Sequence, residues 1–124
     1  MPHRKVAAEN MAAFLNVLSH PDRVRICLEL QAGELEVSVL RTVLDISASR
    51  LSQHLGMLKS EHIVAERKEG RKVLYHLEDL GLGAWLLASQ KFLRSERRRL
   101  DGVMEALDQA SLAWGADLNS GPRA

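Results

Sequence analysis

Ser47–Lys59, SASRLSQHLGMLK, and, three residues on, Ile63–Leu77, IVAERKEGRKVLYHL, form the stretch whose reading decides the fold. In the first segment Leu51, Leu55 and Leu58 fall at i, i+4 and i+7, the spacing of one helix face, so Ser49, Arg50, Gln53 and His54 are expected to project from another. Those side chains suit the edges of bases: Arg pairs bidentately with guanine, Gln with adenine, and Ser with either, and a helix fits the major groove where these patterns differ. Ser47 is the natural N-cap, which would leave the first amides of the helix facing phosphate. The second segment splits into two extended runs, Ile63–Lys68 and Arg71–Leu77, joined at Glu69-Gly70. In the second run Val73, Tyr75 and Leu77 alternate with Lys72, Leu74 and His76, as in a hairpin with one covered face.

Charge follows the same layout. From Ser47 to His76 there are six Lys or Arg (Arg50, Lys59, Arg67, Lys68, Arg71 and Lys72) against three Glu, a local +3 in a chain whose formal net charge is +1. Positive charge is thus concentrated where a phosphate backbone would be met. Upstream, Ser38–Leu44 sets Val39, Leu40, Val43 and Leu44 on one side, and Asp45-Ile46 is long enough only for a tight corner. Taken singly, a helix with a polar outer face is a solvated surface helix and a basic hairpin is a soluble edge. In this order and spacing they form a winged helix-turn-helix that binds double-stranded DNA.

The chain has 124 residues, one domain's worth, with 46% hydrophobic and 27% charged residues. No apolar run approaches the ~20 residues of a membrane span, and MPHRKVAAEN lacks the apolar region of a secretion signal, so a cytoplasmic protein without a membrane partner is expected. A sole cysteine, Cys27, fits a reducing compartment and excludes a disulfide within one chain. Val6–Leu18 is expected to be a helix with Ala7, Met11, Phe14, Leu15 and Leu18 on one face. Pro21 opens the next, with His20 as its cap, and Val24, Ile26, Cys27, Leu28 and Leu30 cover half of its circumference, which demands burial. Gly33 ends it, and Glu34–Val37 is a short strand that could join the hairpin.

From Asp79 to about Ala113 apolar residues recur at helical spacing, namely Leu82, Leu86, Leu93, Leu100, Met104 and Leu107, with Trp85, Phe92 and Val103 alongside. One helix of that length would be ~50 Å long at ~1.5 Å per residue. It would outreach the domain, and the simplest cover for its far half is a second copy. A homodimer through Phe14, Leu15, Leu86, Leu93, Leu100, Met104 and Leu107 is therefore expected, with two recognition helices one DNA turn apart on a palindromic site. Residues 1–114 would be the DNA-binding and dimerisation domain and 115–124 a flexible tail. The fold class is mostly α with a small β-hairpin wing: helix, helix, short strand, helix, helix, strand, strand, helix.

The Leu18–Ile26 stretch LSHPDRVRI, the Leu51–Leu55 block LSQHL and the Gly70–Tyr75 wing GRKVLY together resemble the ArsR/SmtB family of bacterial repressors over roughly residues 8 to 95. The resemblance implies a homodimeric winged-helix repressor released from its operator by an effector, here an unidentified signal. By position it implies Ser47, Ser49, Arg50, Ser52, Gln53 and His54 in the major groove and Arg67, Lys68, Arg71 and Lys72 on the backbone or in the minor groove. It also implies that His62 takes a turn position usually held by a left-handed Gly.

The departures bear on mechanism. The Cys-x-Cys pair of members that sense soft metals is replaced by Glu34-Leu35-Glu36-Val37-Ser38, and no His follows His76 to build a site on the last helix. The five His are scattered with no i, i+4 pair, and neither a metal nor another cofactor is expected. The nearest subset senses persulfide or oxidants with two cysteines. Cys27 sits where the first would be and Gln90-Lys91-Phe92-Leu93 lacks the second. As a redox thiol Cys27 would have to act alone. Its place in the apolar arc favours core packing. No Gly-rich phosphate loop or acidic pair supports an enzyme. The alternatives are a winged-helix protein-interaction module, or a regulator that is effector-independent or acts as an anti-repressor.

Overall fold

The computed structural model describes residues 1–93 and 101–119. Along the chain run α1 (Pro2–Val17), α2 (Pro21–Leu30), β1 (Leu35–Glu36), α3 (Val37–Leu44), α4 (Ala48–Ser60), β2 (Val64–Glu69), β3 (Lys72–Leu77), α5 (Gly81–Leu93) and α6 (Asp101–Asn119). The strands form one antiparallel sheet in the order β1-β3-β2. Leu35 lies opposite Tyr75, so the strand expected near Glu34–Val37 does join the wing. Glu69 pairs with Lys72, which makes the hairpin turn Gly70-Arg71, one residue beyond the expected Glu69-Gly70. Gly70 has φ +61, a conformation that costs Gly nothing.

The core gathers apolar residues of four expected elements: Ile26, Cys27 and Leu30 of α2, Leu40 and Leu44 of α3, Leu51, Leu55 and Leu58 of α4, and Tyr75 and Leu77 of β3. Two expectations about faces need correction. Val39 and Val43 are exposed, because an eight-residue helix lying on α2 covers only the Leu40–Leu44 edge. In α1 only Val17 is buried, with Leu18 just beyond it and Phe14 half-buried, while Val6, Met11 and Leu15 are open.

The long final helix is also corrected. Residues 21 apart on a straight helix stand ~30 Å apart, yet Ser111 Oγ donates to Gln90 Oε1 at 2.5 Å. Trp114 Nε1 donates to Glu29 Oε1 at 3.0 Å and Gln31 Nε2 to the Trp114 carbonyl at 3.0 Å. α6 therefore folds back beside α5 and onto α2, and the apolar periodicity served two helices rather than one. α6 continues to Asn119, so the boundary set at residue 114 falls inside it. Gly83 permits the close seat of α5: a Cβ there would come within 2.5 Å of Cβ of Gln31, the residue that caps the end of α2.

Candidate nucleic-acid interface

α3 and α4 are joined by a corner at Asp45, whose φ of +54 closes α3 with its amide on the Arg41 carbonyl. Asp tolerates the left-handed region better than most residues. α4 begins as expected: Ser47 Oγ accepts from the Arg50 amide at 3.2 Å. It ends with the His62 amide on the Lys59 carbonyl and the Ile63 amide on that of Leu58, the paired bonds of a Schellman cap. His62 supplies the left-handed residue at φ +57. Both ends of α4 are thus fixed locally, which holds its outward side chains in register.

Ser47, Ser49, Arg50, Ser52 and Gln53 are all exposed on α4, and Arg67, Lys68, Arg71 and Lys72 on the wing. Among the described residues no carboxylate lies within ion-pair distance of Arg50, Lys68, Arg71 or Lys72. The other two cations are engaged. Lys59 Nζ is 2.6 Å from Glu66 Oε1, and the Tyr75 hydroxyl donates to Glu66 Oε2 at 3.1 Å, which ties the end of α4 to both wing strands. Arg67 grips Glu34 bidentately and reaches Glu69 at 3.1 Å. The Arg67 guanidinium holds the Glu34 carboxyl below its usual range. Arg67 is thus a strut between the wing and the segment before β1, with less of its charge free for phosphate than the sequence suggested.

His54 departs from expectation. It is 8% exposed and turned toward α2, not outward. Arg23 Nε donates to its Nδ1 at 3.2 Å, its Nε2 lies 3.5 Å from Asp22 Oδ2, and its ring centroid is 4.4 Å from that of His20. On a helix of 3.6 residues per turn, position 54 is adjacent to both Leu51 and Leu58, so the three-residue step that marks the apolar stripe also includes it. A polar side chain on that stripe is buried only with partners, and α2 supplies them. Burial lowers its pKa, helped by His20 and Arg23 and by Arg50, with Asp22 opposing. Arg23 also donates from Nη1 to the Val17 carbonyl at 2.9 Å, so one side chain links α1, α2 and α4.

No local pattern marks His20, Asp22 and His54 as neighbours, yet they place ligand-type atoms within 4.8 Å of one another. The hydrogen bonds decide what this group can do. His20 Nδ1 accepts from the Asp22 amide at 3.1 Å as the cap of α2, and His54 Nδ1 accepts from Arg23. A neutral imidazole whose Nδ1 accepts carries its proton on Nε2. A ligating imidazole needs one nitrogen for the metal and a proton on the other, usually given to an acceptor. Neither Arg23 nor the Asp22 amide can accept. As built, the cluster serves as a clamp between helices.

Cys27 lies in the core with 0% exposure, and burial pushes its thiol up to about 12. The thiolate that redox chemistry requires is therefore suppressed near neutral pH.

A helix-turn-helix domain family matches residues 18–67, which span α2 through most of β2. The biofilm growth-associated repressor of Agrobacterium fabrum is 35% identical over 79 residues, 64% of this chain and 68% of that protein. A Synechocystis transcriptional repressor described as an SmtB homologue is 38% identical over 72 residues, 58% of this chain and 54% of that protein. The chain belongs to the ArsR/SmtB family. The structure of the transcriptional repressor BigR from Xylella fastidiosa superposes with a TM-score of 0.66 at 27% identity, covering 77% of this chain and 97% of that one. This ArsR/SmtB protein is accordingly a DNA-binding transcriptional repressor by class and not an enzyme. Among the described residues no helix is long and apolar enough to cross a membrane.

Proposed function

We propose that this chain acts in the cytoplasm as a homodimeric repressor that reads a palindromic operator with α4 and grips the flanking backbone with its wing. The observation that carries the reading is the set of cations that, among the described residues, have no carboxylate partner, Arg50 on α4 and Lys68, Arg71 and Lys72 at the wing tip, beside exposed Ser47, Ser49, Ser52 and Gln53. Arg50, Gln53 and the serines are the base readers; His54 is withdrawn from that role because it is committed to α2. Three wing cations per protomer would neutralise about six phosphates in a dimer, a log–log salt slope of about −5.

The dimer rests on apolar side chains that α1 and α5 leave open. Leu15 is 49% exposed, Leu93 42% and Phe92 70%. Of the other residues expected there, Phe14 and Leu86 pack on their own chain's core, Met104 and Leu107 are half-buried, and Leu100 lies outside the described residues. Cys27 is a core residue in this reading, and the signal that releases the operator is not a thiol modification. The test is fluorescence-anisotropy binding to the protein's own upstream promoter and to a scrambled duplex across a salt series, with sedimentation velocity for mass. Preference for the promoter by a two-chain species, with a slope near −5, is expected. Equal affinity for both duplexes at every salt concentration would move the reading to an interaction module.

A further inference from the structure

The fold-back of α6 leaves a half-open cavity that no DNA-binding role uses. It holds about 570 Å³ between Val24 and Leu28 of α2, Leu86 and Leu93 of α5, and Leu107 and Ala110 of α6. That is within the roughly 300–1,000 Å³ of small-molecule sites. Among the described residues no charged side chain lines it. The described polar side chains in and beside its wall are already engaged: Ser89 Oγ donates to the Leu86 carbonyl at 2.6 Å, Gln90 Oε1 accepts from Ser111, and Trp114 Nε1 donates to Glu29. Water needs 2–4 polar partners in such a space, and these engaged groups offer it little. A hydrocarbon surface can fill it without leaving a donor or acceptor stranded.

We propose that this cavity is the effector site, and that its ligand is an uncharged, largely hydrocarbon small molecule. The inference rests on the repressor reading and deepens it. α2 gives the site a route to DNA, because Val24 lines the cavity while Arg23, the residue before it, holds His54 of α4. An occupant that shifts α2 shifts the seat of the recognition helix.

The test uses N-phenyl-1-naphthylamine, a neutral probe that fluoresces in apolar surroundings, with the full chain. A Trp85→Phe background leaves Trp114 as the single tryptophan of the two in the chain. Saturable one-to-one binding with energy transfer from Trp114 is expected. Ala110→Phe, which fills the cavity, should weaken probe binding at least tenfold, and the gentler Ala110→Leu should weaken it by less, both with helix content and promoter affinity retained. Saturating probe should weaken promoter binding at least fivefold in the parent and not in Ala110→Phe. Failure to bind saturably, or equal binding to the filled variants, overturns the site; binding without any effect on promoter affinity overturns the effector role. Probe binding confined to a chain that Ala110→Phe has dissociated into monomers would assign the cavity to a second copy and also overturn the proposal. Lack of promoter binding in the probe-free protein counts against the repressor reading, whereas the probe titration reads the cavity independently of DNA.

Discussion

His54→Ala separates the two roles open to that histidine. Truncation leaves Arg23 Nε, a charged donor, without the acceptor it holds at 3.2 Å, and removes the ring stacked 4.4 Å from His20. Losing a hydrogen bond to a charged group costs about 1.5–3 kcal/mol, and the lost ring contact adds about 0.5–1 kcal/mol. The sum, about 2–4 kcal/mol, corresponds to a fall in Tm of about 6–20 °C for a domain of this size. His54→Asn, whose carbonyl oxygen can accept from Arg23, should recover about half of it. The assay is thermal unfolding by circular dichroism at pH 7.5, paired with anisotropy at 20 °C on operator and scrambled duplex. We expect the ratio of specific to random affinity to stay within about threefold of the parent, because no base contact is lost. A variant that melts within about 2 °C of the parent but loses ten- to a hundredfold in operator preference would show that His54 reads a base after all.

The same residue sets a pH dependence. The folded pKa of His54 lies below the ordinary His value, so the unfolded chain takes up its proton first as pH falls. Its contribution to stability is complete above about pH 6.5 and is lost as pH drops through the folded pKa; Tm should decline over that range in the parent and less so in His54→Asn. Arg50→Ala should cost about 1–3 kcal/mol on the operator and relax base preference, whereas Arg71→Ala should weaken operator and random duplex alike and flatten a dimer's salt slope by about 1.8. Arg67→Ala should flatten the slope less than Arg71→Ala, since Glu34 and Glu69 already share its charge; an equal or larger change would return Arg67 to the phosphate set. Gly83→Ala should destabilise by about 1–3 kcal/mol by forcing α5 from Gln31, and unchanged urea unfolding would mean α2 and α5 part freely. Cys27 should resist a thiol-reactive reagent in the folded state and react on unfolding; rapid labelling of folded protein would reopen a redox role.

The helix-turn-helix and the wing were legible because each is specified locally. Ser47 caps its own helix, Gly70 bends its own turn, and the Leu51–Leu55–Leu58 stripe needs no knowledge of its partner to be recognised as an inner face. The buried arc of α2 was legible for the same reason. The errors share the opposite cause. Whether His54 points to solvent or to α2 depends on Arg23, thirty-one positions earlier. Whether Arg67 is a clamp or a strut depends on Glu34, thirty-three positions earlier. Helical periodicity records which residues are covered but not what covers them, so α5 and α6 looked like one element until the Ser111–Gln90 bond placed them side by side. The close approach at Gly83 was open to suspicion as a glycine inside a helical pattern, though nothing local named Gln31 as its neighbour.

Those non-local contacts converge on α2. Its first turn holds α4 through Arg23 and Asp22. Its middle, at Ile26 and Cys27, lies in the core, and its last turn takes Trp114 on Glu29 while Gln31, just beyond, meets α5 and α6. α2 touches no DNA in the proposed complex, yet the recognition helix and the fold-back helix both bear on it. An interaction that distinguished two positions of α2 would alter the pitch of α4 relative to a wing that Arg67 anchors on Glu34, with the Lys59–Glu66 pair as the joint between α4 and the wing. A major-groove reader and a backbone clamp must meet DNA together, so a change in their relative angle weakens the operator complex without unfolding either part. Under the proposal, that arrangement would give the repressor a means of release that needs neither metal nor thiol, and α2, rather than the DNA-facing surface, would be the element where substitutions uncouple ligand from operator.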